Sequence, residues 1–159
     1  MELSNTTQFT DQMVRKVLRF ASGKRGYTKY VDKLAVIPAE PGSRWRGFCQ
    51  PYMGTIRVWV AKASRFPYTR PPMAGGYVEV TARSDIEALV YVMAHEFRHI
   101  WQTTHTTRLG GGRKGLSERD ADTFAVQTIA RWRKRKAKLR LATVYTPEAR
   151  RKLKRKGRK

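Results

Sequence analysis

The stretch from Ser84 to Thr103 constrains this chain more than any other, because none of its residues interrupts a helix. It opens on Ser84-Asp85-Ile86-Glu87, a capping-box pattern in which the serine hydroxyl accepts from the N–H three residues on and the glutamate reaches back. At about 100° per residue, Ile86, Val90, Met93, Phe97 and Ile100 form one narrow apolar stripe. His95 and His99 fall on the other side, with Ala88 and Gln102. The pattern predicts a helix with one face on a core and the other presenting two imidazoles a single turn apart.

The flanking sequence supplies that core. Residues 10–22 place Met13, Val14, Val17, Leu18 and Ala21 at helical spacing, and Gly23 is a stop. Val31–Ile37, Trp45–Cys49 and Ile56–Ala61 read as short strands between Pro and Gly punctuation. Residues 65–76 read as a loop, since three prolines and two glycines oppose regular structure, and Tyr77–Ala82 alternates like a strand. Residues 109–116 read as a connection that misses a phosphate-binding loop, because Leu116 stands where lysine is required. A second capped helix begins near Ser117 and runs through Trp132 into the basic stretch, with Glu118, Ala121, Asp122, Ala125, Ile129 and Trp132 facing inward. Together these predict a single α+β domain over 1–132. It has an N-terminal helix, a small twisted and mostly antiparallel sheet, and two further helices; a basic extension follows over 133–159.

The pentapeptide His95-Glu96-Phe97-Arg98-His99 has the HExxH form. On a helix, residues i and i+4 project side by side, so two neutral imidazoles can grip one tetrahedral Zn²⁺ ion. The glutamate after the first histidine points toward the remaining coordination position, where it serves as general base toward a water that the metal acidifies. All three histidines of the chain, His95, His99 and His105, fall within eleven residues. A catalytic zinc site needs a third protein ligand. His105 gives the spacing HExxHxxGxxH, but Gln102 replaces the turn-forming glycine, and all five methionines precede His95, so no methionine turn follows the site. Glu118, at the start of the next helix, is the favoured ligand, with His105 the alternative. Asp122, one turn beyond Glu118, is placed to accept the free ring N–H of a metal-bound histidine.

HEFRH followed by Glu118-x-x-Ala121-Asp122-x-Phe124-Ala125 resembles the gluzincin pattern of zinc metallopeptidases. It is most similar to the minigluzincins and the ImmA/IrrE-type peptidases, over about residues 84–130. SprT-like proteases, which use a third histidine, are a weaker resemblance. The resemblance implies a zincin-like fold whose edge strand lies beside the active-site helix, and hydrolysis of a protein or peptide substrate. It assigns Zn²⁺ to His95, His99 and Glu118, and proton transfer to Glu96. An extended substrate is expected to add to the Tyr77–Ala82 strand, if that is the sheet edge. Arg98, His105 and several tyrosines are the candidates for a further oxyanion donor.

Charge adds a second theme. The net charge is +22, and residues 131–159 hold 15 Lys and Arg against the single acid Glu148. Such a block attracts polyanions by counterion release, without reading sequence. Arg131, Arg133, Lys134, Arg135 and Lys136 are the candidate contacts to DNA or RNA. Trp45, Tyr52, Trp59 and Tyr68, interleaved with Arg44, Arg46, Arg57, Arg65 and Arg70, are candidates for stacking on bases. The competing class is a nucleic-acid-binding or ribonucleoprotein module with a structural or vestigial zinc site. Cys49, the single cysteine, reads as a small buried side chain. No basic-plus-apolar leader opens the chain and no apolar run reaches spanning length, so a cytoplasmic protein is expected.

Overall fold

The computed structural model of the chain describes residues 1–23, 29–40, 43–61, 66–70, 78–105, 117–135 and 146. Strand β1 (Glu2–Asn5) leads into helix α1 (Asp11–Ser22), followed by β2 (Lys33–Pro38), β3 (Arg46–Gln50) and β4 (Thr55–Val60). A two-stranded pair, β5 (Tyr68–Arg70) and β6 (Val80–Ala82), precedes the long helix α2 (Asp85–His105) and the final helix α3 (Glu118–Lys134). The fold is α+β, as expected.

The sheet is mixed rather than mostly antiparallel. Its order is β1-β2-β4-β3, with β1–β2 and β2–β4 parallel and β3–β4 antiparallel. The reason is connectivity: α1 carries the chain back to the starting end, so β2 lies parallel to β1. The β3–β4 connection is short, a 3-10 turn at Pro51–Met53 closed by Gly54 at φ 56°. There a Cβ would also lie 2.8 Å from Asp32 Oδ2. This hairpin puts β3 at the sheet edge among the described residues. The Tyr77–Ala82 segment is therefore not that edge: its ordered part, β6, pairs with β5, and Tyr77 lies outside the described residues. Residues 65–76 are not wholly irregular either, since Tyr68–Arg70 pairs with β6 between Pro67 and Pro71.

One sheet face is covered. Leu34, Val36, Ile56, Val58 and Val60 are buried against the apolar stripe of α1 (Met13, Val14, Val17, Leu18, Ala21) and against α2. Thr10 caps α1 through its hydroxyl, which accepts from Met13 N at 3.2 Å. Helix α2 is not the half-exposed helix its stripe suggested. Of Ile86 to Gln102, only Arg98 and Trp101 escape full burial, because α3 covers the second side with Ala121, Ala125 and Ile129. Small residues at 121 and 125 let the two helix axes approach closely. Ser84 does cap α2, accepting from Glu87 N at 3.3 Å. Glu87, however, reaches past the expected target to Arg83 N at 2.8 Å. It also binds Arg133 of α3 through two bonds, Nη2–Oε2 at 2.6 Å and Nε–Oε1 at 3.1 Å. Among the described residues, no helix is long and apolar enough to cross a membrane.

Candidate metal centre

Helical periodicity sets His95 and His99 on one side of α2, with their ring centroids 4.7 Å apart. Their Nε2 atoms face one another at 3.0 Å. The first residue of α3 completes the group: Glu118 Oε2 lies 3.1 Å from His95 Nε2, and Oε1 lies 3.2 Å from His99 Nε2. Among the described residues, these three form the cluster whose ligand atoms lie within 4.8 Å of one another. They can hold a metal ion. Both imidazoles are buried, while 46% of the Glu118 side chain is exposed, so the centre opens along α3.

The surrounding hydrogen bonds decide what these rings offer. His95 Nδ1 faces Asp122 Oδ1 at 2.8 Å, an atom that also accepts from the Tyr91 hydroxyl. His99 Nδ1 faces Gln102 Oε1 at 3.0 Å. The orientation of that amide is determined by its partners: Gln102 Nε2 donates to Ser117 O at 3.0 Å and Asp120 Oδ2 at 2.7 Å, and Oε1 accepts from Ser117 N at 3.1 Å. Asp122 and Gln102 Oε1 can only accept, so each Nδ1 carries its ring's proton. In the neutral rings both Nε2 lone pairs then point at one spot, beside a carboxylate. Three electron-rich groups facing each other repel unless a cation lies between them.

The electrostatics agree in sign. Burial opposes a charged His95 ring, but the Asp122 hydrogen bond and the carboxylates of Glu96, Asp122 and Glu118 prevail, holding its pKa above the usual histidine range. The same field favours a positive charge of any origin at this position. Glu96 is buried, and burial is the largest influence on it, pushing its carboxyl up. The Glu118 charge adds to this, against the opposing pull of His95, His99 and the Cys49 thiol. Its pKa therefore stands above the ordinary glutamate value, as suits a group that takes and returns a proton.

Strand β3 closes the site from the other side. Gly47 faces Glu96 so closely that a Cβ there would lie 2.4 Å from Oε1 and 2.5 Å from Cγ. Cys49, two residues on and on the same face, hydrogen-bonds to Glu96; burial first, then the Glu96 charge, pushes its thiol pKa well up. It is a packed donor rather than a nucleophile. Periodicity had no means of revealing Gly47, since the contact joins residues nearly fifty positions apart. Gln102 was visible three residues from His99 on the same face, but only as the residue replacing a glycine.

Several expected residues lie elsewhere. His105 does not join the His95, His99 and Glu118 group: its ring stacks on Trp101 at 4.5 Å and its Nδ1 meets Trp101 O at 2.9 Å. Arg98 is held by Asp120 through Nε at 2.6 Å and Nη2 at 3.0 Å, and lies 3.9 Å over the Trp101 ring. Both side chains are thereby held by partners outside the His95, His99 and Glu118 group. Of the basic candidates, Arg133 is a structural link, bound to Glu87 and to Thr81 O at 2.6 Å. Arg131 donates to Thr128 Oγ1 at 2.7 Å, and Arg135 lies 5.3 Å over the Phe20 ring. Lys134 is exposed at the last helical position, and Lys136 lies outside the described residues. Helix α3 continues past Trp132 into the basic stretch, as expected, and ends at Lys134. Trp45 is core, 6.5 Å from Phe9, whereas Tyr52 is 86% exposed.

No family model, curated protein or solved structure matches this chain.

Proposed function

We propose that this chain is a zinc-dependent peptidase in which His95, His99 and Glu118 hold the metal and Glu96 moves the proton. The convergence of two Nε2 lone pairs and a carboxylate beside a buried glutamate supports this reading above any other feature. The size of the group agrees with it. Tetrahedral zinc with bonds of about 2.0–2.1 Å keeps its ligand atoms roughly 3.3 Å apart, and the contacts here are 3.0, 3.1 and 3.2 Å. When bound, zinc supplies Lewis acidity toward a water and the scissile carbonyl.

The chain's own residues do the rest. Asp122 and Gln102 hold the two rings so that Nε2 faces the centre. Glu96 accepts a proton from the attacking water and passes it to the leaving amine nitrogen. An extended substrate adds to β3, the sheet edge among the described residues, where Gly47 and Cys49 border Glu96. The cationic C-terminal block holds the enzyme near a polyanion such as DNA or RNA, so substrates are proteins found there.

Zinc measured on protein purified without added metal should be one ion per chain, lost in His95→Ala and in Glu118→Ala. Glu96→Gln should keep the ion and lose cleavage of casein. Protein free of divalent metal, or cleavage that persists in Glu96→Gln, sinks the proposal.

A further inference from the structure

The helices cover one face of the sheet, and the other face carries chemistry that the metal centre does not use. On β3, Arg46, Phe48 and Gln50 alternate outward, away from Gly47 and Cys49. On β4, Arg57 and Trp59 share that outward face. The antiparallel register sets Arg46 opposite Trp59 and Phe48 opposite Arg57, so cations and rings alternate both along and across the strands. Both guanidiniums lie over the Trp59 ring, Arg46 at 4.5 Å and Arg57 at 5.7 Å. A guanidinium stacked in this way keeps its N–H edge for an anion.

Two more rings are left bare. Phe48 is 50% exposed and Tyr52, in the turn joining β3 to β4, is 86% exposed. Met53 beside it is 64% exposed. Phe48 stands on the outward face of the hairpin and Tyr52 and Met53 in the turn that closes it, and exposed apolar side chains carried by one hairpin mark an interaction site. Charge selects the kind of partner: from Pro41 to Val78 the chain contains no Asp or Glu, Arg46 and Arg57 stand across the ladder from the rings, and Asp32 approaches only the Gly54 end of the turn. Glu2, at the far edge of the sheet, is paired with Lys33 at 3.8 Å.

We infer that the outer face of β3 and β4 is a binding platform for single-stranded nucleic acid. Phe48 and Tyr52 stack on unpaired bases, and Arg46 and Arg57 donate to the phosphates between them. Flat rings and cations on one sheet surface suit a strand whose bases are splayed, because every base has a π-face. A duplex hides those faces and offers only its phosphates. The platform differs from the C-terminal block, which attracts any polyanion. It also does not depend on the metal, because Arg46, Phe48, Arg57 and Trp59 lie on the strand face opposite Gly47, which meets Glu96.

Fluorescence anisotropy of the full chain with labelled 20-mers of oligo-dT, oligo-rU and a mixed-sequence DNA duplex tests this at two or more salt concentrations. Phe48→Ala and Tyr52→Ala should each weaken single-strand binding by about 5- to 100-fold while leaving the salt slope unchanged. Arg57→Ala should lower that slope by roughly 0.7, one phosphate's share. Duplex affinity should not respond to either ring. Whichever 20-mer binds more tightly identifies RNA or DNA as the source. Both rings are exposed, so the variants should melt as the parent does, and circular dichroism checks this. Single-strand affinity unchanged in both ring variants overturns the inference and leaves binding to the C-terminal block alone. So does loss of binding to anionic vesicles (phosphatidylserine in phosphatidylcholine) with oligonucleotide affinity intact, which makes the face a lipid contact.

Discussion

Replacing Gly47 with alanine puts one methyl group where the Glu96 side chain now lies. The added Cβ would stand 2.4 Å from Oε1, 2.5 Å from Cγ and 2.7 Å from Cδ. Ordinary contact begins near 3.4 Å, so the carboxylate must withdraw by about 1 Å. The strand cannot yield easily, since β3 is paired with β4 from Arg46 through Gln50. A tip rotation is not enough either, because Cγ collides as well as Oε1. The whole side chain must swing, away from the Cys49 thiol and from the position the proposed proton transfer requires. A misplacement of about 1 Å in a reacting group costs roughly 100-fold in rate. Overpacking costs about 1–3 kcal/mol of stability, which a domain of this size tolerates. The expected Gly47→Ala protein is therefore folded, binds one zinc through His95, His99 and Glu118, and cleaves casein about 100-fold more slowly. Zinc content, thermal melting and kcat/KM at matched metal loading read the three properties separately. Wild-type turnover by folded, zinc-loaded Gly47→Ala would refute the reasoning, because Glu96 would then work equally well from a displaced position.

Four other outcomes follow from the same contacts. Asp122→Asn should weaken zinc affinity by roughly 10- to 100-fold in competition with a chelator, since an amide can present a donor to His95 Nδ1–H. Gln102→Leu should lower metal affinity and also destabilise the fold by about 1–3 kcal/mol in urea, because the Ser117 N–H and His99 Nδ1–H lose their shared acceptor. The Glu87–Arg133 link predicts an acid response. Burial raises the Glu87 pKa, but the Arg133 guanidinium and the Arg83 N–H outweigh it and hold the carboxyl below its ordinary value. A depressed folded pKa adds stability above the unfolded value, near pH 4.3, and that stability is lost as pH falls through the folded value. Arg133→Ala should thus shift the acid-unfolding midpoint upward, and an unchanged midpoint removes the link from the stability of the fold. Truncation after Arg135 should sharply reduce low-salt retention on DNA at a small cost in melting temperature, since Thr146 N donates to Gln8 O at 2.9 Å, whereas truncation after Arg131 should destabilise the domain further by removing Trp132 and Arg133.

Local sequence determined what local physics can determine. Period and caps placed α1, α2 and α3 nearly to the residue. The i, i+4 spacing put two imidazoles side by side, and the same spacing put Glu118 and Asp122 on one helical face. Elements whose identity depends on partners were not legible in this way. Strand β1, with the sequence ELSN, carries no strand signal and exists by pairing with β2. The edge of the sheet followed from which hairpin closes on which neighbour, so it is β3 and not residues 77–82. Arg98, His105 and Arg133 looked available in sequence, but the packing of α2 on α3 and of Trp101 on His105 gave each a structural partner. The approach of Gly47 to Glu96 is decided in the same way. Helical periodicity repeats every few residues and can be read along the chain. The fit of a strand against a helix depends on long-range closure, which no stretch of sequence encodes by itself.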